Sequence, residues 1–265
     1  MIDGEWRSTR ENENKKGEFV RPATTFRSWI GKDPGFEAET DRYHLYVSLA
    51  CPWAHRTLIL RKLKGLEHAI GVSVVDSYMG EDGWHFSDAP GAIPDTVNHK
   101  ALMREIYVLA DPKFTGRVTV PVLWDKKQNT IVNNESREII RMLDTAFGGV
   151  AKNDTMFYYE DMADAIEGAM DAIYQPINNG VYRSGFATSQ EAYDQAVTAL
   201  FEALDHWEGV LGKQRYLAGD RLTEADFCLF TTLFRFDAVY HTHIKCNLKR
   251  FVDYPDLWYN VRENY

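Results

Sequence analysis

Residues 43–58, Tyr43-His44-Leu45-Tyr46-Val47-Ser48-Leu49-Ala50-Cys51-Pro52-Trp53-Ala54-His55-Arg56-Thr57-Leu58, constrain this chain more than any other stretch. Tyr43 to Leu49 has the aromatic and β-branched content of a strand. Pro52 suits the first turn of a helix, where a missing N–H costs nothing, and Trp53, Ala54, Leu58, Leu63 and Leu66 then give that helix an apolar stripe. Cys51 therefore stands at a helix N-terminus. Unpaired backbone N–H groups and the positive end of the helix dipole favour thiolate over thiol there, so its pKa is expected to be lowered. The competing reading is a small buried hydrophobe, the common fate of a free cysteine, which suits Cys228 in Ala225-Asp226-Phe227-Cys228-Leu229-Phe230 well.

The chain beyond this helix extends the unit. Ile70 to Asp76 predicts a second strand, and a β-α-β succession implies a parallel pair. Ser77 to Lys100, with Gly80, Gly83, Pro90, Gly91 and Pro94, is a long connection of the kind that is functional or disordered. Leu102 to Ala110 predicts a short helix, Arg117–Trp124 and Ile131-Val132 a hairpin around the polar turn Asp125–Thr130, and Asn133-Asn134-Glu135-Ser136 the opening of a helix to about Phe147. The order β-α-β-α-β-β-α is that of a thioredoxin fold, in which a cysteine ending a strand and opening a helix is a redox site. The usual second cysteine is replaced by Ala54, so the thiol must finish its chemistry with an external thiol, and glutathione is the obvious candidate.

Gly148-Gly149 ends this unit, and from Thr155 the pattern is helical: Met156–Ile177, Ser189–Leu211, Thr223 to about His243, and a last piece after Tyr254-Pro255. Thr223-Glu224-Ala225-Asp226 behind Leu222 has the form of a capping box with a hydrophobic staple. The expected architecture is an α/β thioredoxin-like domain over residues 43–150 followed by an all-α domain over 151–265. Residues 1–42 form a charged extended arm that packs locally through Phe26, Trp29 and Ile30.

The 265 residues are 45% hydrophobic, enough for a proper core. Three cysteines without a CxxC pair argue against a disulfide framework and a structural zinc site, which points to a reducing compartment, the cytoplasm. No run of 18 apolar residues suggests a membrane span, and the charged start is unlike a secretory signal. Residues 1–150 carry 20 basic against 21 acidic side chains, whereas residues 151–265 carry 10 against 18. An acidic second half speaks against nucleic-acid binding.

Three further places carry candidate chemistry. Pro121 after Val120 cannot donate to a ladder, and in a thioredoxin fold a cis proline here exposes Val120 for antiparallel pairing with a peptide-like ligand such as glutathione; the alternative is an ordinary edge proline. At Glu135-Ser136 the helix N–H groups and the hydroxyl would take a γ-glutamyl carboxylate and Glu135 its ammonium, although a plain cap reads equally well. Trp84, beside His85 in the long connection, suits a stacking lid, local packing being the competing view. His241 and His243 are too close for one helical face, and no metal is expected.

Together, Tyr46–Arg56 with its Cys-Pro-Trp-Ala-His-Arg, Gly83-Trp84, Arg117–Asp125, Asn133–Ser136, the Val181-Tyr182-Arg183-Ser184-Gly185-Phe186-Ala187 segment, Leu222–Asp226 and Arg235–Tyr240 closely resemble the glutathionyl-hydroquinone reductases, the Xi class of glutathione transferases. The resemblance runs from about residue 40 to the end and implies the glutathione transferase fold. It implies a reaction in which Cys51 attacks the glutathionyl sulfur of an S-glutathionyl-hydroquinone, releasing the quinol and leaving a mixed disulfide that a second glutathione resolves. It implies a glutathione site at Trp84, Arg117, Val118, Thr119, Val120, Pro121, Glu135 and Ser136. Tyr182 is implied as the proton donor to the departing aromatic carbon, and Tyr240 as a phenol supporting the thiolate. A homodimer is expected. Members of the family continue some tens of residues past Tyr254-Pro255-Asp256-Leu257-Trp258, with a further tyrosine near the thiolate, whereas this chain ends at Tyr265. Two rivals stay open: an Omega-like thioltransferase or dehydroascorbate reductase, which does not require Tyr182, and a non-catalytic scaffold that binds glutathione.

Overall fold

Tyr43–Ser48 forms a strand (β1) whose six residues are all buried, and it lies inside a four-stranded sheet with a strand on either side. The helix Pro52–Leu63 (α1) carries the chain over to Ile70–Val75 (β2), which pairs with β1 in parallel from Tyr43↔Ile70 to Ser48↔Val75. Met103–Ala110 (α2) precedes the antiparallel strands Val122–Asp125 (β3) and Thr130–Asn133 (β4), and Ser136–Thr145 (α3) closes the series. The computed structural model describes residues 1–7, 14 and 16–265; the remaining residues of the expected arm, 8–13 and 15, lie outside the described residues. Two units are distinguished, Met1–Thr9 with Pro22–Met156, and Arg10–Arg21 with Phe157–Tyr265.

In the first unit the arm does more than pack locally. Its backbone runs along β4, with Arg27 bridging Asn133 and the N–H of Ser28 donating to Val132 O at 3.0 Å, so the edge strand finds a partner. Phe26 stacks on Phe114 at 5.7 Å, and Ile30 is 1% exposed. Arg42, itself buried, pairs with the fully buried Asp125 of β3 and also reaches Glu37 and Glu39. Its guanidinium is held well above its ordinary range by the hydrogen bond to Asp125.

The first hairpin strand is shorter than its β-rich sequence suggests. The Tyr107 hydroxyl donates to Thr119 O at 2.9 Å and lies 3.3 Å from the Thr119 N–H, replacing ladder partners, and Pro121 has no N–H to offer. The long connection is not structureless. Val74 and Ile93 exchange both backbone bonds at 2.9 Å, the Asp76 N–H reaches His85 O, and the buried Asp95 carboxylate accepts from the Tyr46 hydroxyl at 2.8 Å and from the N–H groups of Val97, Asn98 and Lys100.

The second unit is helical: Ala163–Ile173 (α4), Gly180–Gly185 (α5), Gln190–Leu211 (α6), Glu224–Leu233 (α7), His241–His243 (α8) and Pro255–Asn264 (α9). Two segments expected as continuous helices are interrupted by π-helical turns, at Tyr174–Asn178 and Phe236–Tyr240. Pro176 lies inside the first, where its missing N–H disrupts the α-helical ladder, and buried Asn178 donates to Cys228 O and Thr232 Oγ1, both at 2.9 Å. The capping box at Thr223 forms: Asp226 accepts from the Thr223 N–H and from Leu217 N, both at 2.9 Å, while burial pushes its carboxyl up to about 6.

Candidate active site

Cys51 occupies the N-cap of α1, with extended backbone angles (φ −86°, ψ 119°) and Pro52 in the first turn. Its own N–H is tied to Ser48 O at 3.1 Å, and its carbonyl accepts from His55 N, so the thiol is anchored where the strand passes into the helix. The side chain is half-buried, and Sγ lies 3.6 Å from the carbonyl oxygen of Val120. Val120 is followed by a cis peptide bond to Pro121, and both residues are buried. Tyr107, through Thr119, fixes the segment Arg117–Val120 that leads into this corner.

Glu135 is the N-cap of α3, and its carboxylate accepts from Arg137 N at 3.2 Å and from the Thr24 hydroxyl at 3.3 Å. The N–H of Glu135 is held by Asn133 Oδ1 at 2.7 Å, and Asn134 Nδ2 donates to the Tyr107 hydroxyl at 3.1 Å. One tyrosine thus braces both Thr119 and the approach to Glu135. Ser136, 3% exposed, receives the Nη1 of Arg56 at 3.4 Å, and the Arg56 guanidinium carbon lies 4.8 Å from the Trp53 ring centre. Arg56 is itself only 2% exposed. Arg56 of α1, the helix that Cys51 opens, thus places a cation against Ser136, the first residue of α3. Trp84 lies within the long connection, half-buried, with its carbonyl accepting the first N–H of α2 from Met103 at 2.9 Å.

In the second unit Tyr182 and Tyr240 meet edge to face, ring centres 6.1 Å apart. Tyr182 is on α5 and half-buried; Tyr240 closes the second π-helical turn and is 3% exposed. The two π-helical turns are therefore the devices that aim this pair, one preceding α5 and the other ending at Tyr240. Among the described residues no group of three or more His, Cys, Asp or Glu side chains is placed to hold a metal ion.

Sequence reasoning assigned no role to Arg56, Tyr107 or Thr24. Arg56 lies inside the Cys-Pro-Trp-Ala-His-Arg segment, and a charged residue on the apolar side of α1 is the signal that would have found it. Thr24 and Tyr107 reach Glu135 and Asn134 from far along the chain, and no local pattern reports such contacts.

Residues 50–146 match the family model for the glutathione S-transferase N-terminal domain, and residues 190–260 that for the C-terminal domain. The chain is 52% identical to the glutathionyl-hydroquinone reductase YqjG of Escherichia coli K12, an alignment covering 100% of this chain and 84% of that protein. It is 50% identical to the glutathionyl-hydroquinone reductase PcpF of Sphingobium chlorophenolicum, over 97% of this chain and 82% of that one. The chain belongs to the glutathionyl-hydroquinone reductases. Among solved structures of this family, the Xi-class glutathione transferase of Natrialba magadii superposes with a TM-score of 0.93 at 55% identity, covering 100% of this chain and 81% of that one. The glutathione-bound structure of Escherichia coli YqjG superposes with a TM-score of 0.91 at 51% identity, covering 100% and 83%. The α/β thioredoxin-like domain followed by helices, expected from the element order, is thus the glutathione transferase fold of this reductase family.

Proposed function

We propose that this chain reduces S-glutathionyl-hydroquinones to hydroquinones with glutathione as co-substrate. The observation that carries the reading is the meeting of Cys51 Sγ with Val120 O at 3.6 Å, at a helix N-terminus. A tripeptide whose cysteinyl backbone pairs with Val120 brings its sulfur against Cys51. The thiolate attacks that sulfur, the carbon–sulfur bond breaks, and the ring carbon takes a proton from Tyr182. Cys51 is left in a mixed disulfide with glutathione, and the thiolate of a second glutathione attacks the glutathionyl sulfur, giving glutathione disulfide and restoring Cys51.

Ser136 and the first N–H groups of α3 receive the γ-glutamyl carboxylate, Glu135 its ammonium, and Trp84 and Arg117–Val120 line the remainder of the tripeptide. Tyr240, in contact with Tyr182, supplies a second phenol without adding charge to an apolar pocket. Residues 43–150 form the glutathione-binding domain and 151–265 the domain for the aromatic part, with 1–42 as an arm. Three cysteines and no disulfide suit the cytoplasm, where reduced glutathione is available, and a homodimer suits a helical transferase scaffold. Among the described residues no helix is long and apolar enough to cross a membrane. Mass spectrometry of the protein incubated with glutathionyl-menadiol tests the reading: free menadiol and one glutathione added to Cys51 are expected, and release of menadiol without that adduct refutes it.

A further inference from the structure

Arg21 belongs to a segment that the sequence presents as a featureless charged arm, yet it is built onto the proposed proton donor. Its guanidinium carbon stands 4.9 Å from the centre of the Tyr182 ring, and its Nε donates to Asn179 Oδ1 at 2.8 Å. Asn179 is the N-cap of α5, three residues before Tyr182 on that helix. One side chain therefore holds both the start of the helix and the face of the ring it carries.

The segment before Arg21 is fastened to the same place. The N–H of Thr188 donates to Gly17 O at 3.0 Å, and the Ser189 hydroxyl donates to Lys16 O at 2.7 Å. Gly17 has φ +79°, and a Cβ there would stand 2.8 Å from Thr188 Oγ1, so the close approach needs glycine. Phe19 is buried against Phe186 at 5.4 Å, and Phe186 stacks on Tyr182 at 6.0 Å. Arg21 also lies 5.4 Å from the Phe19 ring centre. Tyr182 is thereby enclosed by a cation, by Phe186 and, edge to face, by Tyr240.

We infer that Arg21 is a positioning residue for Tyr182: stacked on the phenol and anchored at Asn179, it holds the ring in the orientation from which the hydroxyl serves the departing aromatic carbon. This rests on the donor role proposed for Tyr182. A planar guanidinium is suited to the task because it stacks on an aromatic face while still donating in its own plane, which a lysine ammonium cannot reproduce. Arg21 acts only on the step that needs the phenol. It leaves reduction of simple disulfides, which needs no carbon protonation, untouched.

The test measures the intact chain with glutathionyl-menadiol and with cysteine–glutathione mixed disulfide, for wild type, Arg21→Met, Arg21→Lys, Tyr182→Phe and the double variant Arg21→Met with Tyr182→Phe. Arg21→Met is expected to lower kcat on glutathionyl-menadiol by about ten-fold with an unchanged KM for glutathione, and to leave the disulfide rate as it was. Arg21→Lys, which keeps charge without the fork, is expected to recover part of the loss and serves as the comparison if the methionine variant folds poorly. In the Tyr182→Phe background the Arg21 change is expected to be silent. Equal losses on both substrates, or a loss that adds to that of Tyr182→Phe, overturn the inference. Should Tyr182→Phe itself slow both substrates equally, the donor reading falls and takes the inference with it; should only Arg21→Met lack selectivity, the inference falls alone.

Discussion

The Arg56 guanidinium, 2% exposed, places Nη1 3.4 Å from the Ser136 hydroxyl and so links the helix that Cys51 opens to the helix that Glu135 caps. A buried cation beneath a helix N-terminus adds to the attraction that this terminus holds for a carboxylate. Arg56→Met is therefore expected to raise the KM for glutathione by about ten-fold, the equivalent of about 1.4 kcal/mol, with a smaller change in kcat. Steady-state kinetics with glutathione as the varied substrate check this, and an unchanged KM would remove Arg56 from the glutathione site.

Tyr182→Phe removes the proposed acid and nothing else of that size. General acids contribute about 10²-fold or more, so release of menadiol from glutathionyl-menadiol is expected to slow by at least about 100-fold. Reduction of a small mixed disulfide needs no proton on carbon and is expected to stay within about two-fold of wild type. Parallel rates on the two substrates decide it, and this comparison also separates the assigned reaction from general thioltransferase chemistry.

Glu135 carries two duties that one substitution exposes together. Its carboxylate caps α3 through Arg137 N and also receives the Thr24 hydroxyl. Loss of an N-cap costs about 1 kcal/mol, so Glu135→Ala is expected to lower Tm by about 2–4 °C. The same variant should raise the KM for glutathione with kcat little changed, since the ammonium contact is made in ground and transition states alike. A fall in kcat at constant KM would contradict that role.

The region around Cys51 was legible because its signals are local: an aromatic strand, a cysteine, a proline and an apolar stripe succeed one another within β1 and α1. The interrupted helices were not, because a π-helical turn at Phe236–Tyr240 contains no proline or glycine and is set by packing. The bracing of the site was equally hidden. Tyr107 reaches Asn134, Arg56 reaches Ser136 and Arg21 reaches Asn179, each across a long stretch of chain that no periodicity spans. Arg117–Val120 reads as strand by composition, but Thr119 within it gives both its backbone groups to the Tyr107 hydroxyl, a tertiary effect that overrides propensity.

Stability in acid is expected to depend on His44, whose imidazole is 3% exposed with Nε2 2.9 Å from Ser73 Oγ. Ser73 donates its proton to Pro94 O, so Nε2 is the donor to Ser73, and burial pushes the imidazole down to about 4 from its ordinary 6.5. A depressed folded-state pKa contributes stability that is complete above 6.5 and disappears as pH falls through about 4, on the order of 3 kcal/mol in all. Asp226 works the other way: raised from 3.8 to about 6, it contributes stability that is complete below 3.8 and lost as pH rises through about 6. Urea midpoints of wild type and His44→Gln from pH 7 to pH 4 isolate the histidine. The stability difference between the two should change in favour of the variant as pH falls, and parallel curves would show that His44 does not titrate in this window.

The thiols divide by accessibility. Cys228 is 1% exposed, Cys246 is fully buried with its thiol pushed up to about 12 by that burial, and only Cys51 is half-exposed at a helix N-terminus. Iodoacetamide at neutral pH is therefore expected to modify Cys51 alone in the folded protein, with a rate midpoint below the free-cysteine value of about 8.5. Cys51→Ser is expected to abolish reduction of glutathionyl-menadiol while the thermal transition stays in place, whereas Cys228→Ser and Cys246→Ser leave turnover nearly unchanged. With glutathionyl substrate and no added glutathione, the wild type should release one quinol, hold one glutathione on Cys51 and stop, because both other thiols are buried and unable to resolve the mixed disulfide. Continued turnover under those conditions, or turnover surviving Cys51→Ser, would return the chain to transferases that conjugate glutathione without a catalytic thiol.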